Sequence, residues 1–244
     1  MTRVAFQGER GAYSEMAATA LYGDEIELAP LPTFDEVYRQ VEDGRCDYGV
    51  VPIENSVAGS IHRNYDLLLE HHLYIVGEVN VRIAHQLIAN RGVRLEDIRR
   101  VYSHPQALAQ CERSLAALPG IEVVPTYDTA GSVKMVKEQD LRDAAAIASH
   151  RAAEIYDMDI LKSNLEDEND NYTRFLALSR AAVTPTGPSK TSIVFAGRNA
   201  PGLLFKMLSV FALRDIDLTK IESRPQRGKP WEYLFYLDFA GDMQ

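Results

Sequence analysis

The chain has 244 residues, 46% of them hydrophobic and 25% charged, with a formal net charge of −9. This length and balance suit a sizeable core in one large or two smaller units and exclude a disordered chain. The densest basic stretch, Arg91 to Arg100, is interrupted by Glu96 and Asp97, so nucleic acid and anionic membrane are poor partners.

Arg3 to Phe6 reads as a first strand, followed by a glycine-rich turn and a helix from Ser14 to Leu21. Thr33-Phe34-Asp35-Glu36 is a capping-box signature, and the helix it starts is expected to end at Gly44. Tyr48 to Ile53 reads as a buried strand. Leu73 to Ile88, long and apolar with β-branched residues, reads as one or two strands crossing between lobes. Then come strand Val101-Tyr102, helix Gln106 to Leu115, strand Ile121 to Pro125 and helix Ala130 to Glu138. Strand Ala144 to Ala148, a helix to Tyr156 and strand Phe175 to Leu178 complete the series. Such alternation implies an α/β fold with mostly parallel pairing. The acidic run Glu166-Asp167-Glu168-Asn169-Asp170 is expected to be a solvated loop, because packed like charges repel.

Ala182 to Ser189, with two prolines and a glycine, is the best linker. After it the pattern gives strand Thr191 to Ala196, turn Asn199-Ala200-Pro201-Gly202 and helix Leu203 to Arg214. Strands Leu218 to Ser223 and Tyr233 to Phe239 follow. This is β-α-β-β, and a ferredoxin-like unit needs a further helix and strand. The second unit therefore reads as incomplete, or as completed by another chain.

Cys46 and Cys111 lie far apart, without metal-type spacing, and read as buried thiols in a reducing compartment. Val4-Ala5-Phe6 is already followed by polar Gln7 and Gly8, so no leader is read and cytoplasm is the expected location. No apolar run is long enough to span a bilayer. The six histidines form no H-E-x-x-H pattern, no Cys/His quartet occurs, and no G-x-S-x-G elbow is present. Neither a metal nor a cofactor is expected, and a serine hydrolase is disfavoured.

In open α/β sheets ligands bind beyond the C-terminal ends of the strands. Those ends carry Gln7 to Ser14, Glu54-Asn55-Ser56, Ser103-His104-Pro105-Gln106 and, before the last strand, Asn171-Tyr172-Thr173-Arg174. Most precede a helix, whose unpaired N–H groups and positive dipole end suit carboxylates. Each has a plainer reading: Gly8 and Gly11 as a turn, Ser103 as a helix cap, Glu54-Asn55 as a self-bonded loop, Thr173-Arg174 as a strand edge.

Taken together these segments resemble the prephenate dehydratase family. The resemblance rests on Val51-Pro52-Ile53-Glu54-Asn55-Ser56, on Ser103 to Cys111 and on Asn171-Tyr172-Thr173-Arg174-Phe175. The C-terminal segment resembles that family's ACT regulatory domain through Asn199-Ala200-Pro201-Gly202-Leu203-Leu204 and Glu222-Ser223-Arg224-Pro225. The resemblance implies a two-lobed catalytic domain over residues 1–181, like a type II periplasmic binding protein. The lobes would be roughly 1–76 plus 174–181, and 77–173. A ferredoxin-like ACT segment over 190–244 would follow. It implies conversion of prephenate to phenylpyruvate, water and carbon dioxide, with Thr173 as the catalytic hydroxyl. Glu54, Asn55, Ser56, Ser103, His104, Gln110, Asn171, Arg174 and Phe175 would hold substrate, with Arg174 or a helix N-terminus polarising Thr173 or binding a carboxylate. L-phenylalanine would be sensed at Asn199, Pro201, Gly202, Leu203, Leu204, Glu222, Ser223, Arg224 and Pro225, in a homodimer or homotetramer. Leu203 departs from the family's small residue after Gly202. Two alternatives stay open: an arogenate dehydratase, and a non-catalytic amino-acid-binding sensor.

Overall fold

The computed structural model describes residues 1–197, 200–226 and 228–241. The chain divides into two compact units, Met1–Ala182 and Val183–Gln244.

The first unit opens with β1 (Thr2–Gln7), α1 (Tyr13–Tyr22), β2 (Ile26–Leu31), α2 (Phe34–Glu42) and β3 (Tyr48–Asn55). It continues with β4 (Gly59–Ser60), α3 (His62–Glu70) and β5 (Tyr74–Arg82), and then crosses to a second lobe. That lobe holds β6 (Gln86–Ala89), β7 (Arg100–Ser103), α4 (Pro105–Gln110), α5 (Glu112–Ala116), β8 (Glu122–Pro125), α6 (Thr129–Glu138), β9 (Ala144–Ala148), α7 (His150–Ile155) and β10 (Asp159–Lys162). The chain then returns as β11 (Tyr172–Ser179). One sheet has the order β2-β1-β3-β11-β5, with β4 on β3; the other has the order β10-β6-β9-β7-β8. The sequence-based crossing at residues 73–88 is thus two strands, one in each sheet.

Pairing is mixed, not mostly parallel as expected. β1 runs parallel to β2 and β3, and β7 parallel to β8 and β9. The returning strand β11 inserts antiparallel between β3 and β5, and β6 is antiparallel to β9 and β10. A chain that leaves one sheet and comes back to it can enter in the reverse direction without a crossover helix.

Alternation along β9 divides the second lobe's core. Ala144, Ala146 and Ala148 join Val133 and Val136 of α6, while Ala145 and Ile147 join Ala107, Leu108 and Leu115 on the other face. A strand covered on both faces reads as a continuous apolar run. In the first lobe Val4, Val50 and Phe175 meet Ala17 and Ala18 of α1. Full burial of each large apolar side chain contributes roughly 1.5–3 kcal/mol.

The starts of α2, α6 and α7 are capped by Thr33, Asp128 and Ser149, which accept from the N–H groups of Glu36, Gly131 and Ala152. Each such cap is worth about 1 kcal/mol. The helix expected over Gln106 to Leu115 breaks at Cys111, which is non-helical (φ −118°, ψ 19°). Asp167 sits at the break: its N–H donates to the Gln110 carbonyl at 2.7 Å, and its carboxylate accepts from the Arg113 N–H at 3.0 Å. The acidic run is therefore not wholly a solvated loop. Glu166 is buried, and its Oε2 accepts the His85 N–H at 2.8 Å.

The second unit comprises β12 (Lys190–Ala196), α8 (Leu203–Ala212), β13 (Leu218–Pro225) and β14 (Tyr233–Ala240). Its antiparallel order, β12-β14-β13, is that of the first three strands of a ferredoxin-like sheet. Gly202 starts α8 from the left-handed region (φ 78°), and the Leu203 side chain lies against Gly197. That contact accounts for a large residue after Gly202. Pro201, Leu204, Ser223 and Pro225 are exposed; Leu203, Glu222 and Arg224 are partly buried. Asn199 lies outside the described residues.

Candidate active site

A cavity of about 530 Å³ opens in the first unit where residues of both lobes meet. Four helix starts contribute to its wall: Tyr13 and Ser14 of α1, Thr33 to Asp35 at α2, His104 and Gln106 at α4, and Asp128 and Thr129 at α6. Ala12, at the N-cap of α1, supplies no side-chain cap, so N–H groups of that first turn remain for a ligand. Among the described residues, no lysine or arginine side chain belongs to this wall. Two features let the β1–α1 loop reach the second lobe. Gly8 and Gly11 take positive φ values of 113° and 88°, which glycine adopts at no steric cost. Across the lobes, the Glu9 N–H then donates to Asp128 at 3.1 Å, and Ser149 Oγ donates to the Gly11 carbonyl at 2.6 Å.

Of the residues indicated by the sequence, Asn55, His104, Gln110, Thr173 and Phe175 line the cavity. Thr173 is opposite Asn55 in the β11–β3 register, and Asn55 Nδ2 donates to Thr173 Oγ1 at 2.9 Å. The Asn55 side chain is itself held, since its Oδ1 accepts from the N–H groups of Val57 (3.1 Å) and Ala58 (2.8 Å). Asn171 stands behind it rather than in the wall, accepting from Asn55 Nδ2 at 2.7 Å and donating to Gln110 Oε1 at 3.1 Å.

Other indicated residues lie elsewhere. Arg174, which the sequence offered as a group to polarise Thr173 or bind a carboxylate, follows it directly on β11, and neighbours on a strand point to opposite faces. Its guanidinium faces Glu54 (3.8 Å) and Glu78 (3.5 Å) instead. Ser103 is fully buried and donates to the Ile147 carbonyl at 2.6 Å. The helix cap expected of it falls to His104, whose Nδ1 accepts the Gln106 N–H. Ser56 donates to the Asp170 carbonyl and accepts the Tyr172 N–H.

The wall also contains Tyr13, from the Gln7 to Ser14 segment that the sequence placed at a strand end, and His85, Tyr127 and Asp128, which sequence reasoning did not single out. Burial pushes Asp128 up from the usual carboxylate range, against the backbone N–H groups that favour its charge. Burial lowers His85, opposed by its bond to Gln110 and by nearby Glu166. It raises Tyr13 well above the ordinary phenol value and takes Tyr127 to about 12, with Glu9 adding to both the Asp128 and Tyr127 shifts. Only the positions of Tyr13, just after the glycine turn, and Asp128, a capping residue before a helix, carried a local signal.

Among the described residues no group of three or more His, Cys, Asp or Glu could hold a metal ion, and no helix is long and apolar enough to cross a membrane.

Two α/β lobes with a cavity between them, walled in part by helix N-termini of the kind that suit anions, define a binding-protein-like scaffold. The family model for prephenate dehydratase matches residues 4–183, and the chain belongs to that family. It is 52% identical over 252 residues to a chloroplastic arogenate dehydratase/prephenate dehydratase of Arabidopsis thaliana, covering 99% of this chain and 66% of that protein. The chain spans 60 to 66% of the length of such curated relatives. The solved prephenate dehydratase of Arthrobacter aurescens, in complex with L-Phe, superposes with a TM-score of 0.89 at 33% identity, over 98% of this chain and 80% of that one. A protein described as a novel type of quorum quenching acylase, GqqA, superposes with a TM-score of 0.88 at 36% identity, over 98% and 88%.

Proposed function

We propose that the chain is a lyase that removes water and carbon dioxide from prephenate, giving phenylpyruvate. The observation that carries this reading is the Asn55–Thr173 bond. Asn55 fills an acceptor site of Oγ1 at 2.9 Å, so the Thr173 hydroxyl proton is directed elsewhere, and Thr173 lines the cavity. A hydroxyl that accepts a hydrogen bond becomes a better donor. Prephenate carries a ring carboxylate, a pyruvyl side chain and a ring hydroxyl. Loss of carbon dioxide leaves the electron pair that expels the hydroxyl and closes an aromatic ring. The departing oxygen needs a proton or strong hydrogen bond, and Thr173 supplies it. The α1 and α2 helix starts hold the carboxylates.

Arogenate, the aminated analogue, is the second reading. Relatives that share about half of this sequence carry arogenate dehydratase in their names, and Asp35 and Asp128 in the wall suit an ammonium group. Incubating the purified protein with each compound separately tests both readings. Phenylpyruvate from prephenate is the expected result, phenylalanine from arogenate alone would favour the second, and no product from either would overturn both.

The second unit serves as the phenylalanine sensor. The support is its ferredoxin-like strand order and the L-Phe named with the Arthrobacter aurescens structure. Pro201, Gly202, Leu203 and Leu204, with Glu222 to Pro225, form the expected site between copies in a dimer or tetramer. Phe205 and Leu213 of α8 and its end are 77% and 82% exposed, which suits such an assembly. Phenylalanine should lower turnover, and light scattering should give more than one chain per particle; unchanged turnover, or a monomer, would remove this part.

A further inference from the structure

We propose that His85 is a positioning residue for this reaction: its Nε2–H holds Gln110 and thereby locks the amide cluster that orients Thr173. The inference rests on the lyase reading of the cavity.

The hydrogen-bond directions follow one from another. Asn55 Oδ1 meets two backbone N–H groups, those of Val57 and Ala58; these can only donate, so the oxygen is fixed on that side. Nδ2 of Asn55 must then face the Asn171 oxygen at 2.7 Å and Thr173 Oγ1 at 2.9 Å. With its oxygen so used, Asn171 turns its amino group to Gln110 Oε1 at 3.1 Å. The Gln110 amino group therefore points to Asn55 Oδ1, at 3.3 Å.

Gln110 Oε1 also lies 3.0 Å from His85 Nε2. An oxygen can only accept there, so Nε2 carries a proton. Nδ1 lies 3.2 Å from the Tyr13 hydroxyl, whose proton has the Ala84 carbonyl as its other acceptor at 2.8 Å. With Nε2 protonated, a neutral ring accepts at Nδ1. Burial favours that neutral ring, since His85 is 2% exposed. The backbone that carries the ring is fixed as well, since the His85 backbone N–H donates to the buried Glu166 carboxylate at 2.8 Å.

His85 stands between β5 and β6, where the chain passes from one sheet to the other. Gln110 belongs to the second lobe, and Asn55 and Thr173 to the first. The ring N–H of His85 thus fixes Gln110, a side chain that ties the amide cluster to the second lobe. Loss of that donor leaves Gln110 Oε1 with Asn171 alone and lets the Gln110 amide rotate. Displacement of a reacting group by about 1 Å can cost roughly 10²-fold in rate.

Two measurements test this. In the wild-type protein without substrate, histidine ring ¹⁵N spectra should show His85 neutral with its proton on Nε2. A neutral ring protonated on Nδ1 overturns the proposal, whether or not the protein turns over prephenate. In the variants, glutamine places an amide N–H near the Nε2 position, whereas asparagine reaches only to Nδ1. His85→Asn should lower kcat by roughly 10²-fold with a smaller change in KM, and His85→Gln should restore kcat to within about tenfold of wild type. Equal losses in both variants, tracking equal losses of thermal stability, would assign His85 a purely structural part and overturn the proposal. An unchanged kcat in His85→Asn would do the same. Failure of the lyase reading shows separately, as an inert wild type.

Discussion

Gly11 and Ala152 touch across the two lobes: a Cβ placed on Gly11 would stand 2.6 Å from the Ala152 Cα and 2.9 Å from its Cβ. The contact sets how closely the β1–α1 loop sits on the start of α7. Gly11→Ala meets two penalties, a positive φ of 88° and a backbone collision that no rotamer relieves. We expect a loss of about 2–4 kcal/mol in urea unfolding, together with lower turnover. A loss below about 0.5 kcal/mol would show that the loop is not held there.

Removing the Thr173 hydroxyl separates chemistry from binding. Thr173→Val keeps the shape but offers Asn55 no acceptor and the leaving oxygen no donor. Turnover should fall by roughly 10²–10⁴-fold, with a smaller change in KM, while Thr173→Ser should retain most of it. Asn55→Asp keeps the acceptors for Val57 and Ala58 but cannot donate to Oγ1, so it should resemble Thr173→Val. Steady-state kinetics of the three variants checks this, and near-normal turnover in Thr173→Val removes Thr173 from the acid role.

How far the sequence carries can be judged from particular residues. Buried strands such as Ala144 to Ala148 are legible because they are short apolar runs between helical patterns. The α2 start is legible because Thr33 caps it. β2 (Ile26–Leu31) and β10 (Asp159–Lys162) are not, because their polar and apolar residues reflect exposed edge positions. The helix α3 is missed because His62 to Glu70 has no side-chain N-cap. In the site, strand alternation alone places Thr173 and Phe175 on one face and Arg174 on the other, so the displacement of Arg174 could have been read. His85 and Glu166 could not. A lone histidine in an apolar run and a carboxylate in an acidic loop acquire meaning only when β6, α4 and the segment before β11 come together.

The two thiols should be inert. Burial pushes Cys111 up to about 12, helped by the neighbouring Asp167 and Glu166 carboxylates, and raises Cys46 as well. At pH 8 the thiolate fraction of Cys111 is then about one part in ten thousand. Iodoacetamide should leave the native protein unmodified over an hour and label both cysteines in denaturant, as read by mass spectrometry. Rapid native labelling of Cys111 would mean that the α4–α5 break opens readily.

Asp128 links stability to pH with a sign opposite to that of an ion-paired carboxylate. Burial raises its folded-state pKa, so the folded protein binds the proton more tightly than the unfolded chain does. The charged carboxylate is thus a cost above its folded pKa, and that cost vanishes below the unfolded value of about 3.9. Asp128→Asn removes the charge but keeps an oxygen that can accept from the N–H groups of Glu9 and Gly131. Its stability relative to wild type should therefore rise as pH is raised from about 4 through the folded pKa, and level off beyond it. Urea unfolding of both proteins across that range measures the difference. A difference that instead falls with rising pH would mean that the two backbone N–H groups, both 3.0–3.1 Å from Oδ2, outweigh burial and hold Asp128 as a stabilising anion.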